Sequence, residues 1–361
     1  PENDKNKKTK EEMNLVEYPF QYLSFKVPPI VKTVEWHGET VTKDGVVRQA
    51  SWIVTGSDKY GLPRYDDKDV LLALLYFWKE QGFQSQVLRV DSILDVVKVL
   101  HWTVSGNSYK KLDESLSRLV GITIKAIYSF WDNRIKDYLP IKAFHLLDNY
   151  SFEKIGHKTS LIVKASDEFW ESIKSGYIKT LDLEFYLSLK EPLLKALYSY
   201  LDKKAYQNEE FTIDIMKLAE HLGMSLNRGL KRIKYDIRTA ADVLVSRGFL
   251  EGYFIQDKKI TFYFNREYLT RKVQEQVKEV EDKIERLVSI LKKELGDDRE
   301  DSYYRIARYY PIELIFKALD GLRTIENEGK GSRSRYRLFM KLLKGYIKTE
   351  IRDKIPVNLK R

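Results

Sequence analysis

The sequence contains no cysteine. Disulfide frameworks, thiolate catalysis and cysteine-ligated zinc are all excluded by that one absence. Histidine is nearly as scarce. The five are His37, His101, His145, His157 and His221, too far apart in sequence for a His-x-His metal pair or an HExxH zinc site. His101 and His221 each close the first helix of a helix-turn-helix pattern, where a hydrogen-bonded structural histidine is the expectation. No GxxxxGK[ST] phosphate loop is present: Gly329-Lys330-Gly331-Ser332 lacks the spacing and the preceding strand. Gly56 and Gly61 make no GxGxxG, and no GxSxG elbow occurs. The longest apolar run, Val70 to Trp78, is too short to cross a bilayer. Asp66, Asp67 and Asp69 fit a helix N-terminus, which favours carboxylates without any metal. The acidic stretch 296–302 matches no calcium loop. No enzyme class finds its residues here, and neither a cofactor nor a metal is expected.

What is present is apolar and cationic. The chain has 361 residues, 43% hydrophobic and 13% aromatic, enough for two or three domains with real cores. Net charge is +10, and the segment 329–361 holds eleven Lys/Arg against Glu350 and Asp353, so +9 of it lies there. Such a basic segment suits a polyanion, or is a solvated, self-repelling end. No signal peptide is visible, and residues 1–12 are expected to form a disordered polar tail.

The stretch 212–264 is the most informative. Thr212 is expected to cap a first helix. Ile215, Leu218, Ala219 and Leu222 recur at i, i+3, i+4, i+7 on one buried face, and Gly223 supplies the turn that ends it. A second helix is expected from about Leu226 to Ser246, with Leu230, Ile233, Ile237, Ala240, Ala241 and Leu244 inside. Arg228, Lys231, Arg232, Lys234, Tyr235 and Arg238 lie outside that apolar set. An alternating hairpin with Lys258 and Lys259 at its turn follows. This order is that of a winged helix-turn-helix, whose cationic second helix fits the major groove.

The same order occurs earlier. Helices are expected from Asp66 or Asp67 to about Gln81 and from Ser92 to Leu100, with a strand at 86–90 between them. A third helix, 108–120, buries Leu112, Leu116 and Leu119 and points Lys110, Lys111 and Arg118 outward. A hairpin over 122–152 is expected to serve as its wing, touching either DNA backbone or a second subunit. The fold class is therefore α+β: two tandem winged helix-turn-helix domains followed by a helical C-terminal region. The expected boundaries are 13–158 for an N-terminal segment plus the first such domain, 159–185 for a linker, 186–270 for the second and 271–361 for basic helices. Within the last part, Val273, Val277, Val280, Ile284, Leu287 and Leu291 form one stripe of a long helix.

The block Asn14-Leu15-Val16-Glu17-Tyr18-Pro19-Phe20, with Leu23-Ser24, resembles the opening of the plasmid replication initiator protein A family, the group related to TrfA. WIVTGSDKYGLPRYDDKDVLLALLYFWKEQGF (52–83) is similar to that family's most recognisable block. SYKKLDESLSRLVGITI (108–124), FWDN (130–133) and FHLLDNY (144–150) are similar too. The resemblance is strong over 14–155 and weaker beyond 180. It implies a DNA-binding initiator with no catalytic centre. It also implies binding to origin repeats (iterons), opening of an adjacent AT-rich segment, and recruitment of the host replication initiator and the replicative helicase.

The expected partner is double-stranded origin DNA. A homodimer is left open, no membrane is expected, and the location is cytoplasmic, on nucleoid or plasmid. Arg228, Lys231 and Arg232 are expected to read bases. Tyr235, Arg238, Lys258 and Lys259 are expected to hold phosphates, and Lys110, Lys111 and Arg118 to touch backbone nearby. The alternative is a dimeric transcriptional regulator on an inverted repeat, which would use the same parts.

Overall fold

The computed structural model describes residues 7–24, 26–205, 208–296, 299–327 and 334–354. It divides into two compact units, 1–269 and 270–361. The elements of the first unit, in chain order, are β1 (Lys8–Glu12), α1 (Met13–Glu17), β2 (Thr33–Val41), β3 (Val47–Thr55), α2 (Tyr65–Glu80), β4 (Val87–Val90), α3 (Ile93–Val99), α4 (Gly106–Val120), β5 (Thr123–Asp132), β6 (Asp137–Phe144), β7 (Leu147–Ile155), β8 (Lys158–Ala165), α5 (Asp167–Lys174), β9 (Ile178–Asp182), α6 (Leu183–Ser188), α7 (Pro192–Lys204), β10 (Glu210–Asp214), α8 (Ile215–His221), α9 (Leu230–Ser246), β11 (Leu250–Gln256) and β12 (Lys259–Phe264).

Two parts of this order repeat. A helix (α2 or α7), a strand (β4 or β10), two helices (α3 and α4, or α8 and α9) and a two-strand hairpin follow each other both times. The sheets match as well: β4-β8-β7 in the first and β10-β12-β11 in the second, so the last strand lies centrally both times. The first copy carries an insertion. β5 and β6 leave after α4 and join β2 and β3 in a four-stranded antiparallel sheet, order β2-β3-β5-β6.

That insertion corrects the sequence reading. The hairpin expected over 122–152 is shared between two sheets, and the hairpin next to α4 is β7–β8. Alternation marks a strand but not its partner, so the continuous run 138–152 concealed the change of sheet. The stretch 159–185 is likewise built in, because β8 is the central strand of its sheet. Residues 8–12, assigned to a disordered tail, form β1 and pair with β9; residues 1–6 lie outside the described residues. Lys10, Glu11 and Glu12 are buried there.

Charge pairing makes that burial tolerable. Glu11 takes Lys68 of α2 at 2.7 Å and Lys179 of β9 at 2.8 Å, and Lys179 reaches Asp202 of α7 at 2.7 Å. Ser199 donates to Glu11 at 2.7 Å, and Lys195 meets Asp69 at 2.6 Å. Removing one member would strand a buried charge, which is far costlier than losing a surface pair. The network ties α2 of the first copy to α7 of the second through β1 and β9.

The second unit runs through α10 (Arg266–Leu295), which starts within the first unit, then α11 (Glu300–Tyr309), α12 (Ile312–Asn327) and α13 (Arg335–Lys354). Leu287, Leu291, Tyr303, Ile315, Leu319, Phe339 and Leu343 form its core. The expected stripe of α10 is buried only in its later half: Val273, Val277 and Val280 are 59%, 53% and 56% exposed.

Candidate nucleic-acid interface

The geometry around α9 starts with its entry. Thr212 lies in β10, where its hydroxyl meets that of Thr261 at 2.8 Å. Asp214, not Thr212, caps α8, accepting from the Met216 and Lys217 amides. The difference follows from β10 itself, which claims the residues before Asp214 for a sheet. Leu218, Ala219 and Leu222 then bury the inner face of α8 and its exit. The helix expected from Leu226 begins later. Leu226–Arg228 is one 3-10 turn, Gly229 follows at φ +76°, and α9 proper starts at Leu230. A side chain at Gly229 would be strained in that left-handed conformation.

α9 is amphipathic as expected. Ile233, Ile237, Ala241 and Leu244 are fully buried. Lys231, Lys234, Tyr235 and Arg238 recur at i, i+3, i+4, i+7 on the outward side. Lys231 and Arg238 are exposed, Tyr235 is 57% exposed and Lys234 half-buried. Arg228 and Arg232 belong to a separate cluster. Both pair with Asp236, at 2.9 and 3.1 Å, and the Arg232 guanidinium lies 5.3 Å from the Tyr235 ring centroid. Each side chain is tethered to Asp236 yet stays about half exposed, at 45% and 58%. Holding an arginine fork in place before binding lowers the entropy lost on recognition. Arg228 therefore reaches this face from the preceding turn and not from the helix.

The β11–β12 hairpin places Lys258 and Lys259 at its exposed turn, and Lys258 also accepts the Ile215 amide with its carbonyl at 2.8 Å. At the other end of α9, Tyr253 donates to Asp242 at 2.7 Å. α9, the turn before it and the hairpin thus bring Arg228, Lys231, Arg232, Lys234, Tyr235, Arg238, Lys258 and Lys259 onto one copy of the repeated arrangement.

The first copy differs. Lys110 is exposed on α4. Lys111 is occupied, with Asp66 at 3.1 Å and the Trp102 ring centroid at 4.1 Å. Arg118, expected to point outward, is buried at 2%. Its Nε and Nη2 donate to the two oxygens of Asp67 at 2.6 and 2.8 Å, so it cannot serve as a DNA contact. Sequence spacing placed it on a cationic row; the partner that draws it inward lies far earlier in the chain. The three aspartates at the start of α2 are thereby all paired, Asp66 with Lys111, Asp67 with Arg118 and Asp69 with Lys195.

His221 packs where the sequence suggested, as a structural residue. Its Nδ1 donates to the Glu17 carbonyl at 2.8 Å, and its ring lies 5.2 Å from Tyr200 and 5.4 Å from Trp36. Burial pushes its pKa down, against the pull of Glu17. His101 meets Glu184 at 2.9 Å.

A family model described as replication initiator protein A matches residues 10–243. The chain belongs to the replication initiator protein A family. It is a replication initiator, and DNA binding follows from that membership. The matched span takes in the first copy of the repeated arrangement and the second as far as Val243, within α9, leaving out the β11–β12 hairpin. Two solved structures are similar to this chain at low identity. A selenomethionine derivative of domains 2 and 3 of RctB is 14% identical, with a TM-score of 0.47, covering 71% of this chain and 99% of that one. A further structure of RctB domains 2–3 is 11% identical, with a TM-score of 0.45, covering 72% and 99%. No curated protein matches. Among the described residues no helix is long and apolar enough to cross a membrane.

Proposed function

We propose that this initiator binds repeated sites in double-stranded origin DNA through two tandem winged helices, with α9 in the major groove of each repeat. The observation that carries this reading is the outward row Lys231, Lys234, Tyr235 and Arg238 beside the Asp236-anchored pair Arg228 and Arg232. Lys231 and Arg232, nearest the helix start, read base edges, and Arg228 joins them from the preceding turn. Lys234, Tyr235, Arg238, Lys258 and Lys259 hold phosphates. The first copy contributes less charge, with Lys110 free to touch backbone.

The protein works without a catalytic centre or cofactor. Binding energy is applied to bending and opening the duplex, and the host initiator and replicative helicase are recruited to the opened site. The buried Glu11–Lys68–Lys179–Asp202 network supports this by fixing one copy against the other, so that both meet DNA in one register.

The test compares Lys231→Ala and Arg238→Ala with the unchanged protein on an origin duplex and on a shuffled duplex. A base-reading Lys231 predicts a loss mainly on the origin duplex, and a phosphate-holding Arg238 a loss on both. Unchanged binding for both variants would remove α9 from the interface.

A further inference from the structure

Four cations of the C-terminal segment form a row on α13. Arg337, Lys341, Lys344 and Lys348 recur at i, i+4, i+7 and i+11, which confines them to a narrow arc of one helix face. All four are exposed. None has an ion-pair partner among the described residues. Three other cations of this unit are paired: Arg335 with Glu326 at 2.7 Å, Arg323 with Glu294 at 2.6 Å and Lys292 with Glu300 at 2.8 Å. On α13 the four unpaired cations stand in one line about 16 Å long.

A second observation lies on the same surface. Gly345 sits in the middle of α13, beside Lys344 and one turn from Lys341 and Lys348, and is exposed. A mid-helix glycine weakens a helix, yet a Cβ added here would meet nothing within 4 Å. Gly321 of α12 is different, because a Cβ there would come within 2.8 Å of the Tyr346 hydroxyl. Packing accounts for Gly321 and not for Gly345. Bare backbone among three lysines allows a ligand chain to approach closely.

The apolar side of α13 is already used. Phe339 and Leu343 are fully buried in the unit's core, with Leu342, Tyr346 and Ile347 packed against it. A helix lying in a bilayer surface needs that face free. The cationic row also contains no apolar anchor of the kind that dominates protein interfaces.

We propose that this row is a second DNA-binding surface, gripping the phosphates of duplex DNA without reading sequence. Four cations over about 16 Å face roughly five base-pair steps of a duplex measured along its axis. Lysine supplies a point charge and not a planar fork, which suits phosphate contact over base recognition. The surface lies outside residues 10–243 and does not depend on the role assigned to α9.

The test uses the full chain and a random-sequence duplex of about 30 base pairs, with affinity followed by fluorescence anisotropy from about 50 to 300 mM salt. The triple variant Lys341→Gln, Lys344→Gln, Lys348→Gln should make the slope of log affinity against log salt shallower by about 2 to 3, since each phosphate contact contributes about 0.9. The corresponding triple lysine-to-arginine variant keeps the charge and should keep the slope. The pair Lys231→Gln, Arg238→Gln tests α9 separately, and the α13 effect should persist in its background. An unchanged slope in the glutamine triple overturns the proposal. So does binding of the unchanged protein to phosphatidylserine vesicles that the triple abolishes, which would make a membrane the occupant.

Discussion

Arg118 and Asp67 form a buried two-pronged ion pair: Nε and Nη2 of the arginine donate to the two carboxylate oxygens at 2.6 and 2.8 Å. Asp67 also accepts the Arg64 amide at 2.6 Å, so one carboxylate starts α2 and anchors α4. Arg118→Ala leaves that carboxylate buried and unpaired. The expected loss is about 3–5 kcal/mol of unfolding free energy, read by urea denaturation. A loss below about 1 kcal/mol would place Arg118 among ordinary surface cations.

Arg232→Ala is expected to weaken binding to the origin repeat by about 1–3 kcal/mol if its guanidinium reads a guanine. Equal losses on origin and random duplex would reduce it to a phosphate contact. Since Arg228 and Arg232 share Asp236, their combined substitution should depart from the sum of the single effects.

Acid should destabilise the first unit in two stages. His221 is buried and its pKa lowered below 6.5. The unfolded chain therefore takes up a proton as the pH falls through 6.5 while the folded one resists, and stability drops. Glu11 is pushed up by burial, but Lys179 and Lys68 outweigh this and hold it at about 2, against 4.5 ordinarily. Its contribution is complete above 4.5 and lost as the pH falls toward 2. Glu17 acts in the same sense through Lys203, Lys204 and His221, again against burial. Glu12 acts oppositely, because burial raises its pKa. Denaturation midpoints should fall from about pH 6.5 to about pH 3. His221→Gln should remove the upper stage of that fall, and a midpoint that rises across the range would contradict the pairing described.

Gly345→Ala should raise the stability of the second unit by up to about 1 kcal/mol, because alanine is the better helix former and the site has room. A fall in the thermal midpoint would show that something requires the glycine for packing.

Much of this architecture is legible in the sequence, for a physical reason. The buried faces of α2, α4 and α9 follow from apolar periodicity, a local signal that survives folding unchanged. Long-range pairing is what the pattern cannot carry. KTKEE reads as solvated tail, yet β1 is buried because Lys68, Lys179 and Thr180 from distant elements meet its polar atoms. Arg118 fits an outward cationic row until Asp67 is brought beside it. The change of sheet between β6 and β7 falls at His145 and Leu146, with no Gly, Pro, Asn or Asp between Ile141 and Leu147 to mark it. In the candidate interface, Lys231, Lys234, Tyr235 and Arg238 are recognisable from spacing alone. The anchoring of Arg228 on Asp236 depends on the turn at Gly229, across which the helical spacing of Leu226, Leu230 and Ile233 runs on without a break.

The central claim is that this initiator reads repeated origin sites with α9. Footprinting the purified full chain on the DNA flanking its own gene tests it most directly. The account predicts protection of several direct repeats at regular helical spacing, lost together in a Lys231→Ala, Arg232→Ala variant. Protection of a single inverted repeat over the promoter, or none at moderate salt, would contradict it.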